Sequence, residues 1–135
     1  MAGPCVLDTS AILALWNDEE GADTVEHILR SKAAIYVSFM SHMECLYRLW
    51  KNAGKEEADE FQRYFEILPI RRIAVTDAIF RKAVEIKATN SLSVCDSWII
   101  ATAIEYKAVL VHKDPEFEQV EGKVRLRTLP YKRKT

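Results

Sequence analysis

Short apolar runs alternate with longer segments of helical periodicity along most of the chain. The apolar runs have the length of strands, and the longer segments space their apolar residues three and four positions apart. Strands are predicted at residues 5–7, 34–37, 70–75, 108–111 and 124–129. Helices are predicted between them, and the one at 95–106 is apolar on nearly all sides, which indicates burial. Strands separated by helices need crossover connections, which favour a mainly parallel sheet.

We therefore predict one α/β domain, with a doubly wound, mainly parallel five-stranded sheet and helices on both faces. The domain is expected to span residues 1–130, and residues 131–135 are expected to form a disordered basic tail. The chain is 49% hydrophobic and holds only four Gly and four Pro, which excludes a collagen-like or intrinsically disordered protein.

The net charge of −1 conceals an uneven distribution. Residues 1–121 carry thirteen Lys and Arg against twenty Asp and Glu, a net of −7, whereas residues 122–135 carry six cations and no acid. This distribution excludes a uniformly basic nucleic-acid binder. The excess of acids in residues 1–121 is compatible with an acidic cluster within the domain.

The cysteines and the hydropathy pattern favour a cytoplasmic protein. Cys5, Cys45 and Cys95 are far apart, lie among apolar residues and form no CxxC motif, so buried free thiols are expected. No apolar run approaches the roughly 20 residues needed to cross a bilayer. The N-terminal residues also lack a signal-peptide pattern, so no membrane association is expected.

Four acidic residues occupy the predicted carboxyl ends of strands or the first turns of helices, where open α/β sheets place their functional sites. Asp8 follows the first strand, Asp114 follows the fourth, Glu44 lies in the helix after the second strand, and Asp96 opens the buried helix. Asp96 shares a helix face with apolar residues, where a carboxylate carries a desolvation cost unless a partner compensates for it.

Helix capping is the alternative interpretation of each acid. Asp8 and Asp114 are suited to cap the helices that follow them, and the segments 41–44 and 93–96 fit the spacing of a capping box. Four such acids together favour a shared anionic pocket that needs a cation. Oxygen ligands alone select Mg²⁺ or Mn²⁺, one or two ions, and such a site suits phosphodiester hydrolysis by metal-activated water.

These segments resemble the PIN-domain family, specifically the toxin ribonucleases of VapBC toxin-antitoxin systems. The similarity lies in residues 6–11, 37–44, 92–103 and 110–117, in that order. The resemblance implies a PIN-like fold and an Mg²⁺- or Mn²⁺-dependent endoribonuclease, the toxin of a toxin-antitoxin pair. It also implies RNA as substrate, a VapB-like antitoxin protein as partner, and a homodimer.

The resemblance also assigns residues. Asp8, Glu44 and Asp96 would be the main metal-holding catalytic acids, Asp114 a metal ligand or water-orienting group, and Thr9 or Ser10 would support them. The family commonly has Thr or Ser two positions before the last acid, whereas His112 stands there in this chain. His112 is therefore expected either to replace that hydroxyl in a supporting role or to be an ordinary histidine at a strand end.

RNA contacts are less clearly indicated. Arg48 lies one helical turn beyond Glu44, and Lys87 and Lys113 approach the predicted acids in sequence, so these three cations are candidate RNA ligands. A cation in such a position is more often an ordinary surface residue than a phosphate ligand.

Other functions remain open from the sequence. A housekeeping PIN nuclease in RNA processing or turnover and a catalytically weak PIN-like module that binds RNA or protein are the main alternatives. A phosphoacceptor receiver domain is disfavoured, because it needs adjacent acids after the first strand and Asp8 is followed by Thr9 and Ser10.

Overall fold

The structure is a computed structural model that describes residues 3–132. Its elements, in chain order, are β1 (Cys5–Leu7), α1 (Thr9–Trp16), α2 (Ala22–Arg30), β2 (Ile35–Ser38), α3 (Phe39–Ala53), α4 (Lys55–Ile67), β3 (Arg71–Ile73), α5 (Asp77–Thr89), α6 (Val94–Glu105), β4 (Val109–His112), a 3-10 helix (Pro115–Val120) and β5 (Leu126–Thr128). The five predicted strands are all present, although β3 and β5 are shorter than the apolar runs that predicted them.

The sheet has the strand order β3-β2-β1-β4-β5, and all neighbouring strands are parallel. Val6 of the central strand β1 is in register with Tyr36 of β2 on one side and with Leu110 of β4 on the other. The chain builds β2 and β3 outward from β1, then returns to add β4 and β5 on the opposite side. This reversal confirms the doubly wound sheet, and it opens a crevice between the carboxyl ends of β1 and β4.

Helices cover both faces of the sheet, as predicted. Successive side chains of β1 point to opposite faces, so that strand contributes to two separate cores. Leu7 packs in a cluster with Ile12 of α1 and Phe61 of α4, whereas Val6 packs with Ile99 of α6 and Phe117 of the 3-10 helix. Each fully buried side chain of this size contributes roughly 2 kcal/mol, so the two cores together fix the carboxyl edge that carries the acids.

Side-chain caps fix where the helices at that edge begin. Asp8 caps α1, and Ser93 caps α6 by accepting a hydrogen bond from the Asp96 N–H at 3.0 Å. The capping box expected at 41–44 is wrong, because Ser38 caps α3 and Ser41 already lies inside that helix. Glu44 is therefore free for another role.

The predicted boundary at residue 130 stays a prediction, because residues 133–135 of the expected tail lie outside the described part of the chain. The first two tail residues contact the domain. The Tyr131 hydroxyl donates to Glu118 Oε2 at 2.6 Å, and Lys132 Nζ lies 3.3 Å from Glu19 Oε2.

Within residues 3–132, no helix combines the length and the apolar character that a bilayer crossing demands.

Candidate active site

Asp8 lies almost completely buried at the carboxyl end of β1, with 3% of its surface exposed. The Ala11 N–H donates to its Oδ1 at 2.8 Å, and the Ser10 hydroxyl lies 2.8 Å from both carboxylate oxygens. Burial raises the pKa of Asp8 to about 7, against the opposing effect of these two hydrogen bonds, and the charges of Asp96 and Asp114 raise it further. Asp8 therefore caps α1, and its surroundings disfavour the ionised form of its carboxyl group.

Ser10 also connects the two strands that flank the crevice. Its Oγ accepts a hydrogen bond from the Lys113 N–H at 2.9 Å while its hydroxyl donates to Asp8. The ends of β1 and β4 are thereby held together, which places the loop carrying Asp114 beside Asp8. The predicted supporting role of Ser10 has a direct geometric basis.

Glu44 projects from α3 toward α1, where the buried Thr9 hydroxyl donates to Glu44 Oε1. Thr9 therefore orients Glu44 rather than Asp8. The charge of Glu44 also raises the pKa of Asp96, so these two carboxylates share one electrostatic environment.

Three further carboxylates converge at the same edge. Asp96, Asp114 and Glu116 each offer an oxygen, and these atoms all lie within 4.8 Å of one another. Burial raises the pKa of Asp96 to about 6, and the charges of Asp114, Glu44 and Glu116 add to that effect against the Ser93 hydrogen bond. Asp114 also caps the 3-10 helix by accepting from the Glu116 N–H at 2.9 Å.

Glu116 was not predicted from the sequence. It is an exposed acid in the first turn of a short helix, a position that the helix dipole favours without any ligand. In the sequence, the only indication of a role for Glu116 is that it lies two residues after Asp114. The tight 3-10 turn is what brings both carboxylates toward Asp96.

His112 lies behind the acids, with no exposed surface, and its ring packs against Phe117. Its Nδ1 accepts from the Asp114 N–H at 3.1 Å, so in the neutral ring Nε2 carries the proton and donates to Thr128 Oγ1 at 3.2 Å. Burial lowers the pKa of His112, which favours this neutral form. His112 is therefore placed to support the Asp114 backbone rather than to line the acidic cluster.

The three candidate RNA ligands lie in different surroundings. Arg48 is exposed on α3 and lines a cavity that also reaches Ser10 and Asp114. Lys113 is buried, and its Nζ donates to the Glu20 carbonyl at 2.7 Å. Lys87 lies on α5 beside an apolar groove between α5 and α6. An RNA role for each stays a prediction, and Arg48 and Lys113 both line the cavity that reaches Asp114.

Ser10 and Cys95 carry nucleophilic side chains close to the acids. The Ser10 hydroxyl is engaged with Asp8 and with the Lys113 N–H. Burial, together with the charges of Glu44 and Asp96, raises the pKa of the Cys95 thiol, which keeps it protonated at neutral pH. Cys95 is therefore a poor nucleophile at neutral pH, and water as the attacking group stays a prediction.

The donor set fits a hard divalent cation. Carboxylate oxygens from Asp96, Asp114 and Glu116 lie close enough to share one ion, and Asp8 adds a buried charge beside them. A cation would relieve both the mutual repulsion and the desolvation that raise these pKa values. All-oxygen ligands select Mg²⁺ or Mn²⁺ over zinc.

Comparison with known proteins identifies the family and the fold. The PIN domain family matches residues 5–123, and no curated protein sequence matches the chain. VapBC2 from Rickettsia felis, solved with a DNA fragment of its promoter, is 17% identical with a TM-score of 0.77 and covers 93% of this chain and 98% of that one. VapC20 from Mycobacterium tuberculosis, a toxin that cleaves the sarcin-ricin loop, is 20% identical with a TM-score of 0.73 and covers 93% and 99%.

A third structure, FitAcB from Neisseria gonorrhoeae, is 15% identical with a TM-score of 0.69 and covers 90% of this chain and 95% of that one. At these identities the solved structures establish a common fold. The family match spans nearly the whole described domain, in agreement with the resemblance seen in the sequence. The chain belongs to the PIN domain family, and its fold is that of VapC-type toxins.

Proposed function

We propose that the protein is an Mg²⁺- or Mn²⁺-dependent endoribonuclease that hydrolyses RNA phosphodiester bonds with water as the nucleophile. The observation that carries the proposal is the convergence of Asp96, Asp114 and Glu116 at the switch point of a PIN domain, beside buried Asp8. Such a site has the charge and the oxygen ligands for the metal-assisted hydrolysis of a phosphodiester.

The carboxylates have different roles in this proposal. Asp8, Glu44 and Asp96 would hold one or two cations, with Asp114 as a further metal ligand or water-orienting group and Glu116 as an additional oxygen donor. The Thr9 hydroxyl donates to Glu44 and would orient its carboxylate as a ligand from the α3 side. A cation held there would supply Lewis-acid stabilisation of the phosphate oxygens and would lower the pKa of water.

RNA is the proposed substrate class, and the role of a toxin is the proposed biological context. VapC20, which shares the fold, is a toxin that cleaves the sarcin-ricin loop, and several similar structures are toxin-antitoxin complexes. We accordingly propose a VapB-like antitoxin as partner. A housekeeping nuclease in RNA processing and a catalytically weak binding module are the alternatives that the experiments below separate.

A homodimer is proposed from exposed apolar side chains on one region of the surface. Phe80 and Val84 of α5 and Val94 of α6 are each more than half exposed, and they border an apolar groove lined also by Trp98. Exposed apolar area of this kind marks protein contact surfaces.

The catalytic proposal is tested by cleavage of a labelled single-stranded RNA after treatment with EDTA and addition of Mg²⁺ or Mn²⁺. The unmodified protein should cleave only with added metal, and Asp96→Asn should reduce the rate at least about 100-fold by removing a metal ligand and its charge. Asp77→Asn is the matched control, because Asp77 is an exposed acid in the first turn of α5, outside the acidic cluster. Full activity of Asp96→Asn would refute the site.

The biological context is tested by induced expression in a bacterial host that lacks a cognate antitoxin. A toxin should arrest growth, and Asp96→Asn expressed to the same level should not. Normal growth with the active enzyme would favour the housekeeping alternative. RNA binding without metal-dependent cleavage would favour the binding module.

A further inference from the structure

A cavity of about 330 Å³ lies directly beside the acidic cluster. Ser10 and Asp114, which belong to the acidic site, line it together with Leu13 of α1, the α1 C-cap Asn17, and Tyr131. We call this cavity the α1 pocket. Its volume lies at the small end of the range found for small-molecule sites.

The charges around the α1 pocket have both signs, with the carboxylates of Glu19 and Asp114 beside three cations. Lys113 Nζ lies 3.4 Å from Glu19 Oε1, and Lys132 Nζ lies 3.3 Å from Glu19 Oε2, so both lysines pair with the same carboxylate. The carboxylate of Asp114 faces the same space from the side of the acids. A phosphate inside the pocket would therefore meet acidic groups and lysines that are already paired.

The remaining walls suit a flat and neutral ligand with polar edges. Leu13 is buried and apolar, and the ring of Tyr131 is held in place by its hydroxyl, which donates to Glu118. Asn17 ends α1 and is exposed, and its amide offers one donor and one acceptor side by side. Aromatic rings stack on nucleobases, and amides pair with the polar edges of bases.

We propose that the α1 pocket binds the base of a nucleotide next to the phosphodiester that is cut, with Tyr131 stacking on the base and Asn17 contacting its edge. The inference rests on the proposed endoribonuclease function, since it names how that site holds its substrate. Arg48 lines the same cavity and forms no ion pair within residues 3–132, so it is placed to meet a neighbouring phosphate. The sequence selectivity of cleavage then depends on this pocket.

The test combines pocket variants with RNA that lacks single bases. Once the cleavage position in a labelled RNA is mapped, abasic ribose is introduced one position at a time on either side of it. One abasic position should lower kcat/KM about tenfold, the size of a lost stacking contact. Asn17→Trp, which fills the pocket, should lower kcat/KM on the intact RNA by a similar factor, and the abasic substitution should cause little additional loss in that variant.

Matched variants separate base binding from damage to the fold. Tyr131→Ala should behave like the filled pocket, whereas Tyr131→Phe retains the ring and should remain close to the unmodified protein. Asn52→Trp is the control for Asn17→Trp, because Asn52 is an exposed asparagine on α3 about 12 Å along the helix from Glu44. Binding of Mn²⁺, followed by electron paramagnetic resonance, should be unchanged in all four variants.

The outcomes distinguish this inference from the function on which it rests. RNA cleavage that is equally efficient in Asn17→Trp and Asn52→Trp, with no effect of any abasic position, would overturn the pocket and leave the endoribonuclease standing. Absence of metal-dependent RNA cleavage by the unmodified protein would overturn the proposed function, and the pocket assignment with it.

Discussion

The replacement Asp8→Asn is expected to stabilise the metal-free protein. Asp8 is 3% exposed, and burial raises its pKa from 3.8 to about 7. The asparagine side chain has nearly the same shape, and its amide oxygen retains the ability to accept from the Ala11 N–H and the Ser10 hydroxyl. The substitution therefore removes the buried charge while leaving the capping geometry of α1 in place.

The sign and size of the effect follow from proton linkage. An acid whose pKa is raised in the folded state destabilises the fold progressively as pH rises from the unfolded pKa of about 4 to the folded pKa of about 7. The difference of about three pKa units corresponds to about 4 kcal/mol at pH 8, and to about 2 kcal/mol at pH 5, where the folded protein retains the proton. Asp8→Asn should gain these amounts relative to the unmodified protein.

Urea denaturation in EDTA at several pH values between 5 and 8 measures the difference directly. The free energy of unfolding of Asp8→Asn should exceed that of the unmodified protein, and the margin should widen by about 2 kcal/mol from pH 5 to pH 8. Asp77→Asn, at an exposed position, should show no comparable widening. A loss of stability in Asp8→Asn at pH 8, or a margin independent of pH, would refute the reasoning.

Four further predictions concern the site and its surroundings. Glu116→Gln should weaken Mn²⁺ binding on the order of tenfold by removing one charged oxygen donor, as measured by calorimetric titration, and unchanged affinity would exclude Glu116 as a ligand. Thr9→Val should weaken Mn²⁺ binding about tenfold, because Glu44 loses the hydroxyl that orients it, and an unaltered titration would contradict that role. Phe80→Glu should convert the proposed dimer to a monomer in light scattering coupled to gel filtration, whereas a dimer that persists would place the interface elsewhere. Removal of residues 132–135 should weaken RNA binding and flatten its dependence on salt, and an identical salt slope would make the basic tail irrelevant to RNA.

The fold was predictable because its determinants are local. The alternation of strand-length and helical segments requires crossovers, and these lead to a parallel sheet with a crevice at the carboxyl ends of its strands. Asp8 follows β1 directly and Asp114 is the second residue after β4, so their position at that crevice needs no knowledge of side-chain contacts.

The directions of side chains beyond the strands depend on contacts between distant residues. Lys113 follows β4 as Asp8 follows β1, yet its Nζ turns to Glu19 and the Glu20 carbonyl, 94 and 93 residues away in sequence. Glu116 joins Asp96 only because the turn after Asp114 is a 3-10 helix. No periodicity in the sequence encodes either contact.

The position of His112 also depends on packing that the sequence does not reveal. Its place in the sequence suggested a group near the acids, whereas its ring lies buried and holds the backbone of Asp114. The tautomer of His112 follows from the hydrogen bond that its Nδ1 accepts from the Asp114 N–H, and this bond is known only from the structure.

The central claim is that these carboxylates form one cation site, and a titration with Mn²⁺ followed by electron paramagnetic resonance tests it most directly. The unmodified protein should bind one or two Mn²⁺ per chain, Mg²⁺ should displace them, and Asp96→Asn should lose at least one of these ions while Asp77→Asn retains them all. Equal Mn²⁺ binding by Asp96→Asn and the unmodified protein, or no binding by either, would contradict the claim.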